Sequence, residues 1–322
     1  MTTEIAQPVA APSRRPTQSE AQARGRGSKR LTILLFLLPA LVLFLSLVLL
    51  PMLLGVYTSL FKWNGFGAPT NFVGLGNFIR LLDDAVFLGD LKRGVTLVVL
   101  SVVVQLPVAL GLALLLNQRL RYRGLYRLIF FAPYVLSEVI TGILFTMVLS
   151  PTGGLVNRLF DLFGVAGQTW LADPDSVLFA LFLVTSWKYF GFHMILYLAG
   201  RQEIPLDLTE AAMMDGAGTW QIFRNITLPL LGPTIRISVF LSIIGAIQLF
   251  DIVWVLTGGG PIHASETMAV TMFQYGFRRY EVGYASAISV AIFMISLVFA
   301  LLYQRFVLRR DLEVAVTKVG AL

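Results

Sequence analysis

Six apolar runs leave this chain few folds to choose from. They cover roughly 31–60, 94–116, 128–149, 176–199, 234–256 and 283–306. About 20 apolar residues in a helix cross the ~30 Å of hydrocarbon in a bilayer. Inside that layer a helix satisfies its own backbone N–H and C=O groups, which an isolated strand cannot do. The runs therefore predict an all-α integral membrane protein with six transmembrane helices. Composition agrees, since 57% of the 322 residues are hydrophobic and 13% charged, against about 25% charged in soluble domains. Pro39 and Pro51 predict a kinked or tilted first span, and Pro107 a kinked second one.

Charge orients the spans. Residues 1–30 are rich in Ala, Pro, Ser, Gln and Arg and read as a disordered tail. The apolar run after it is too long for a signal peptide. With that tail inside, the inner segments 1–30, 117–127, 200–236 and 305–322 hold 17 Lys/Arg, and the outer segments 61–93, 150–175 and 257–282 hold 7. The bias places both termini in the cytoplasm, with 309–322 as a C-terminal tail. The net charge of +7 thus follows membrane topology, because the cations flank apolar spans, and no nucleic-acid partner is expected. The outer segment 61–93 contains FVGLGNFIRLL, read as an interfacial turn and short helix, and 266–279 reads as amphipathic.

Several chemistries have no residues to run on. Zero Cys excludes disulfides and thiolate sites, and two His without metal spacing leave no expected metal site. No G-x-x-x-x-G-K-[ST] occurs, so no P-loop of the chain's own is expected to bind nucleotide.

One inner segment is polar and structured. Residues 201–233 read RQEIPLDLTEAAMMDGAGTWQIFRNITLPLLGP. Pro205 stops what precedes it, Asp207 is an N-cap candidate, and Glu210 completes a D-x-x-E capping pair. A helix is expected over 208–215, with Gly216 and Gly218 supplying a C-cap and a sharp turn. A second helix is expected over 220–226, with Ile222, Phe223 and Ile226 on one face, before Pro229 leads into the fifth span. Small Ala211 and Ala212 allow a partner groove to approach closely. Read on its own, the segment is either an ordinary interfacial helix or a knob for a partner.

Glu210-Ala211-Ala212, Gly216 and Ile226-x-Leu228-Pro229 fit the spacing EAA-x3-G-x9-I-x-LP. This resembles the signature loop of permease subunits of binding-protein-dependent ABC importers. Asp215-Gly216-Ala217, Leu256-Thr257-Gly258-Gly259-Gly260-Pro261 and Gly283-Tyr284-Ala285-Ser286-Ala287 resemble the carbohydrate-uptake branch of that family, and the likeness covers roughly 30–308. It implies the type I ABC importer permease fold and a bacterial cytoplasmic membrane. It also implies three partners: a second homologous permease, a dimer of ATPase subunits, and an extracytoplasmic solute-binding protein. The coupling residues it implies are Glu210, Ala211, Ala212, Asp215, Gly216, Leu228 and Pro229. Glu210 either caps its helix or meets a cation on the ATPase. The chain itself is implied to be no enzyme and to bind no cofactor, with ATP and Mg held by the ATPase.

Polar groups inside spans cost about 2.5–3.5 kcal/mol each when charged, so each needs a partner or a water-filled cavity. Glu138 and Lys188 either form a mutual salt bridge or structural hydrogen bonds, or line the substrate path. His193 is either packed and hydrogen-bonded or in the path, and Tyr189 flanks Lys188. Gln248 and Asp251 are three apart on an expected helix near Trp254, and that polar and aromatic face suits a sugar. Gly258, Gly259, Gly260 and Pro261 read as a glycine-rich turn and also as a flexible contact for the binding protein.

Two other classes compete. An ion-gradient carrier would show interrupted helices with paired midplane carboxylates, and a membrane enzyme would show paired acid/base groups. Neither explains the 201–233 loop. Within the importer class, Lys188 leaves glycerol-3-phosphate open beside a sugar.

Overall fold

A computed structural model describes residues 33–118 and 121–308. The expected tails, 1–30 and 309–322, lie outside the described residues. Residues up to Leu54 and residues from Gly55 onward form two compact units. The described part of the first is uniformly apolar helix, and the sites below lie in the second.

The described residues form no strand beyond one isolated bridge, Phe61 to Phe72. Four helices are long and apolar enough to cross a bilayer: Ile33–Ser59 (α1), Ala85–Leu116, Val177–Gln202 and Val282–Leu308. Two bent pairs bring the possible number to six: Arg123–Val135 with Glu138–Val148 at 99°, and Thr219–Leu230 with Gly232–Ile247 at 64°. In chain order after α1, the helices are Gly76–Asp83 (α2), Ala85–Leu116 (α3), Arg123–Val135 (α4), Glu138–Val148 (α5), Leu155–Leu162 (α6), Val177–Gln202 (α7), Leu206–Met214 (α8), Thr219–Leu230 (α9), Gly232–Ile247 (α10), Asp251–Leu256 (α11), Met268–Phe273 (α12) and Val282–Leu308 (α13).

The helices run on through their prolines. Pro51, Pro107 and Pro229 each follow a leucine, and each Leu-Pro follows a π-turn: Leu45–Leu49, Ser101–Gln105 and Phe223–Thr227. Leu106 N–H donates to Ser101 O, five residues back, and Leu50 and Leu228 do the same. The widened turn makes room for the proline ring and lets the helix run on.

The third span breaks instead. Leu136 and Ser137 are extended, and Ser137 Oγ caps the next helix by accepting from Ile140 N–H at 3.2 Å. Pro133 lies just before the break. A Ser N-cap with Glu138 in the first turn is a helix-start signal written inside an apolar run. Helix α3 likewise starts nine residues earlier than expected, because Asp84 caps it, accepting from the N–H groups of Val86 and Phe87.

Helices α3 and α7 run side by side and parallel. Leu97 meets Leu181, Phe182 and Val184 toward one end, while Ala109, Ala113 and Leu116 meet Met194, Tyr197 and Leu198 toward the other. Gly191 lets α4 cross α7 closely, since a β-carbon there would overlap the Phe130 carbonyl. The end holding the starts of α3, α7 and α13 is tied by buried polar groups. Arg93 donates from Nη2 to Asp90 Oδ1 at 2.5 Å and from Nε to the Glu266 carbonyl at 2.9 Å. The Thr271 hydroxyl lies 2.6 Å from Asp90 Oδ2 and 2.9 Å from Glu266 Oε1. His263 Nδ1 contacts Glu266 Oε2.

Candidate functional site: a cavity between spans and a helix outside them

A cavity of about 300 Å³ lies between α3, α4, α7 and α10. Its polar lining is Ser101, Gln105, Tyr134, Thr185, Tyr189, His193 and Ser242. The serines form a rung: Ser101 Oγ lies 2.7 Å from Ser242 Oγ and donates to Gln105 Oε1 at 2.5 Å. That fixes the Gln105 carboxamide at the cavity wall. His193 is buried, lines the cavity and shares a 2.7 Å hydrogen bond between Nδ1 and Ser238 Oγ. His193 is thus packed and hydrogen-bonded while also facing the cavity. Aromatic rings complete the wall, with Tyr134 stacked on Phe192 at 4.9 Å between centroids and tilted against Tyr189 at 6.2 Å.

A second recess, of about 520 Å³, shares Tyr134 and Tyr189 with the first and adds Glu138 and Lys188. Among the described residues, Glu138 and Lys188 do not pair with each other; each makes a structural hydrogen bond instead, the other form of the first reading. Lys188 Nζ donates to the Leu136 carbonyl at 2.5 Å, and the Tyr189 hydroxyl donates to Glu138. Adjacent residues of α7 thus hold both sides of the break in the third span. The break frees a carbonyl in the apolar layer, and Lys188 supplies the donor that such a carbonyl requires.

The fifth span also departs from its expected form. Helix α10 ends at Ile247 and α11 starts at Asp251, so Gln248 and Asp251 do not share one helix face. Both side chains are exposed, and neither lines a described cavity. Thr267 Oγ1 takes the Leu249 carbonyl that the break frees, at 2.8 Å. Trp254 is also outside the cavities: it packs on Phe250 and Phe273, with the Arg278 guanidinium 4.8 Å from its ring centroid. The α10 face that does line the cavity is Leu241, Ser242, Gly245 and Ala246, with Leu249 from the break beyond it. Serines at 238 and 242, and the Ser101–Gln105 pair, stand four residues apart in otherwise apolar runs. That spacing puts two polar groups on one helix face and is the signal the sequence reading passed over.

The glycine turn is hydrogen-bonded to the residues around it. Gly258 and Gly259 have φ of 61° and 93°. Gln274 Nε2 donates to Gly258 O at 3.1 Å, Ser265 Oγ donates to Gly260 O at 2.6 Å, and Thr257 Oγ1 meets Ser265 Oγ at 2.7 Å. Gly259 is buried against Glu266 and Val270. Pro261 precedes the part that does project, Ile262, which is 87% exposed.

After α7, α8 and α9 form a helix–turn–helix. Helix α8 starts at Leu206 after Pro205, so Asp207 sits in the first turn and not at the N-cap. There its charge favours the helix dipole, and no capping pair with Glu210 forms. At the other end Gly216 N–H donates to Met213 O and Ala217 N–H to Ala212 O, both bonds of a Schellman cap. Gly216 has φ +83°, the left-handed conformation that a side chain strains. Gln221 Oε1 accepts from Gly218 N–H at 2.8 Å and starts α9, which includes Ile226, Leu228 and Pro229 in one continuous helix. Met214 is 87% exposed and Trp220 68%. Glu210 and Ala211 are exposed, and Ala212 is partly buried.

Residues 105–311 match the family described as "Binding-protein-dependent transport system inner membrane component". The chain is 36% identical to the probable ABC transporter permease protein YurN of Bacillus subtilis, with 84% of this chain and 94% of that one covered. It is also 36% identical to the trehalose/maltose transport system permease protein MalF of Thermococcus litoralis, covering 84% and 91%. Its fold matches a chain of a bacterial alginate ABC transporter, crystallised in complex with an alginate pentasaccharide-bound periplasmic protein, with a TM-score of 0.76 at 25% identity, covering 86% and 94%. A multi-pass bundle whose spans enclose a polar cavity, matched by the family over nearly two thirds of its length, belongs to the inner-membrane permease components of binding-protein-dependent ABC transport systems.

Proposed function

We propose that this permease carries a sugar through a six-span bundle and is driven through α8 by a separate ATPase. The observation that carries the reading is the pairing, in one chain, of a polar and aromatic cavity between the spans with an exposed helical knob outside them. Sugars present hydroxyls and apolar ring faces together. Ser101, Gln105, Ser242 and His193 supply hydrogen-bonding groups, and Tyr134, Tyr189 and Phe192 supply rings. The trehalose/maltose and alginate relatives support this substrate class.

In this reading each bent pair counts as one span, both termini are cytoplasmic, and the membrane is the bacterial cytoplasmic one. Helix α8 is the coupling helix. Glu210, Ala211, Ala212, Asp215 and Gly216 enter a cleft of an ATPase subunit, while Leu228 and Pro229 carry motion into α10. ATP and Mg belong to the ATPase dimer. A second homologous permease closes the path, and Gln248 and Asp251, exposed at the break between α10 and α11, enter it from the side that permease covers. A solute-binding protein docks on the outer face near Gly258–Pro261, as a hydrogen-bonded ledge presenting Ile262. Lys188 gives one of its three N–H donors to the Leu136 carbonyl, and the two that remain keep glycerol-3-phosphate open as the alternative substrate.

The test is ATP hydrolysis and uptake by the reconstituted assembly of both permeases, the ATPase and the binding protein. Sugar-stimulated hydrolysis with uptake is the expected outcome. Uptake by the purified chain alone, with no ATPase present, overturns the reading.

A further inference from the structure

A groove of about 910 Å³ opens at the end of the bundle opposite α8, between the 61–73 loop, α2 and the residues that begin α13. It shares no lining residue with the two cavities described above. Helix α2 shows which environment it faces. Leu75, Ile79 and Leu82 are exposed along one apolar stripe, whereas Gly76, Asn77 and Arg80 line the groove from the other side of the helix. The stripe that suits lipid is turned away, and the groove is left to water.

Its floor is built and held. Arg80 Nη1 pairs with Glu281 Oε2 at 2.5 Å, and its guanidinium lies 4.0 Å from the centroid of the Tyr284 ring. The Tyr284 hydroxyl donates to Asp84 Oδ2 at 2.7 Å, and Asp84 caps α3. Asn77 Nδ2 donates to the carbonyls of Ser59 and Phe61, which anchors the loop. At the rim stand two aromatic rings that no packing buries: Phe66, 69% exposed, and Tyr280, 55% exposed, with centroids 5.9 Å apart. Tyr280 also holds φ of 55°, in the left-handed region where a side chain is strained and where ligand clamps concentrate. Asn64 lines the groove and accepts from Phe66 N–H through Oδ1 at 3.1 Å.

Exposed rings beside a fixed guanidinium–carboxylate pair and an anchored amide are the chemistry of saccharide recognition. The apolar face of a pyranose stacks on the rings, and vicinal hydroxyls take the planar charged groups. A docked protein surface would leave the Arg80–Glu281 pair, both signs already matched, with little charge to read. We propose that this groove is a second saccharide-binding site, separate from the cavity between the spans. It rests on the reading that the permease handles sugars.

Trp63 lines the groove and reports on it. The assembled transporter, in nanodiscs without the binding protein, is titrated with maltose, lactose and diacetylchitobiose while tryptophan fluorescence is read. At least one sugar is expected to give a saturable change. Trp63→Phe should remove that change, and Phe66→Ala or Tyr280→Ala should weaken the binding at least tenfold. Gln105→Ala, in the other cavity, should leave it unaltered. Because Phe66 is exposed, its truncation tests binding without threatening the fold. No saturable change with any of the three sugars, or a change that survives Trp63→Phe, overturns the proposal. Sugar-stimulated ATP hydrolysis, measured with binding protein added, separates the two readings. Hydrolysis without groove binding sinks the groove alone, and groove binding without stimulated hydrolysis sinks the importer reading alone.

Discussion

The two ends of the bundle are built on opposite principles. At the end where α3, α7 and α13 begin, side chains satisfy one another across elements far apart in sequence. Arg93 reaches Glu266, Thr271 reaches Asp90, Tyr284 reaches Asp84, and Asn157 holds Gln168 and Trp170. At the other end, the side-chain hydrogen bonds described in α8 and α9 are local, Thr209 to Leu206 and Gln221 to Gly218. Meanwhile Leu206, Met213, Met214 and Trp220 stand exposed. One end finishes its own bonding within the chain. The other is held in shape by backbone caps; both ends leave apolar side chains exposed, but on α8 and α9 they stand on a short capped knob, the form of a surface met by another protein.

The contrast can be broken most forcefully at the bonded end. Asp90→Ala leaves Arg93 without its carboxylate in a buried setting, and removing one partner of a buried pair costs about 3–5 kcal/mol. Thermal unfolding in detergent should show a large drop in stability for Asp90→Ala and little change for Met214→Asp. Equal losses in the two variants would erase the distinction.

A smaller expected effect sits at the turn of the other end. Gly216→Val forces a β-branched residue into the left-handed region, at a cost of about 1–2 kcal/mol. No neighbour lies near the added β-carbon, so the damage is conformational and local. Uptake by the assembled transporter should fall at least tenfold while the protein remains in the membrane with its unfolding midpoint nearly intact. Normal ATP-driven uptake would remove α8 from the drive train.

Within the cavity, Ser242→Ala deletes one member of the Ser242–Ser101–Gln105 rung. A neutral hydrogen bond contributes about 1 kcal/mol, so the concentration of sugar needed for half-maximal uptake should rise about fivefold. Stability should fall by no more than about 1 kcal/mol. An unaltered uptake curve would say that the rung is structural.

The mildest lever is pH, and it acts on the bonded end alone. Burial opposes the Asp84 charge, but hydrogen bonds from Tyr284, from the Val86 and Phe87 backbone and from Tyr275 outweigh it and hold the carboxyl below its ordinary value of 3.8. A carboxylate lowered in the folded state stabilises it above the unfolded value, and that contribution is lost as pH falls through the folded value. Stability should therefore be flat in this respect near neutrality and decline in acid, and Asp84→Asn should flatten the decline. A decline of the same size in Asp84→Asn would assign it to other groups.

What the sequence disclosed follows from the physics of each feature. Length and apolarity located α1, α7 and α13 to within a few residues, because a bilayer tolerates little else. The turn at Gly216 was legible because a left-handed C-cap nearly demands glycine. The breaks at Leu136–Ser137 and Gln248–Phe250 were not, since their flanking runs stay apolar. They depend on tertiary donors, Lys188 for the Leu136 carbonyl and Thr267 for Leu249, that no local pattern reveals. The cavity suffered the same way: charged residues drew attention to Asp251, while neutral Ser101, Gln105 and Ser242 form the wall.

The central claim, that force enters through α8, has a direct measurement, and the chain is suited to it because it contains no cysteine. A single Met214→Cys places one thiol on the exposed face of α8. A short bifunctional crosslinker applied to the assembled transporter should join this residue to the ATPase subunit and to no other partner, and locking that contact to cysteines in the ATPase should stop uptake reversibly. A thiol that crosslinks only to the second permease, or a locked contact that leaves ATP-driven uptake at its full rate, would contradict the claim.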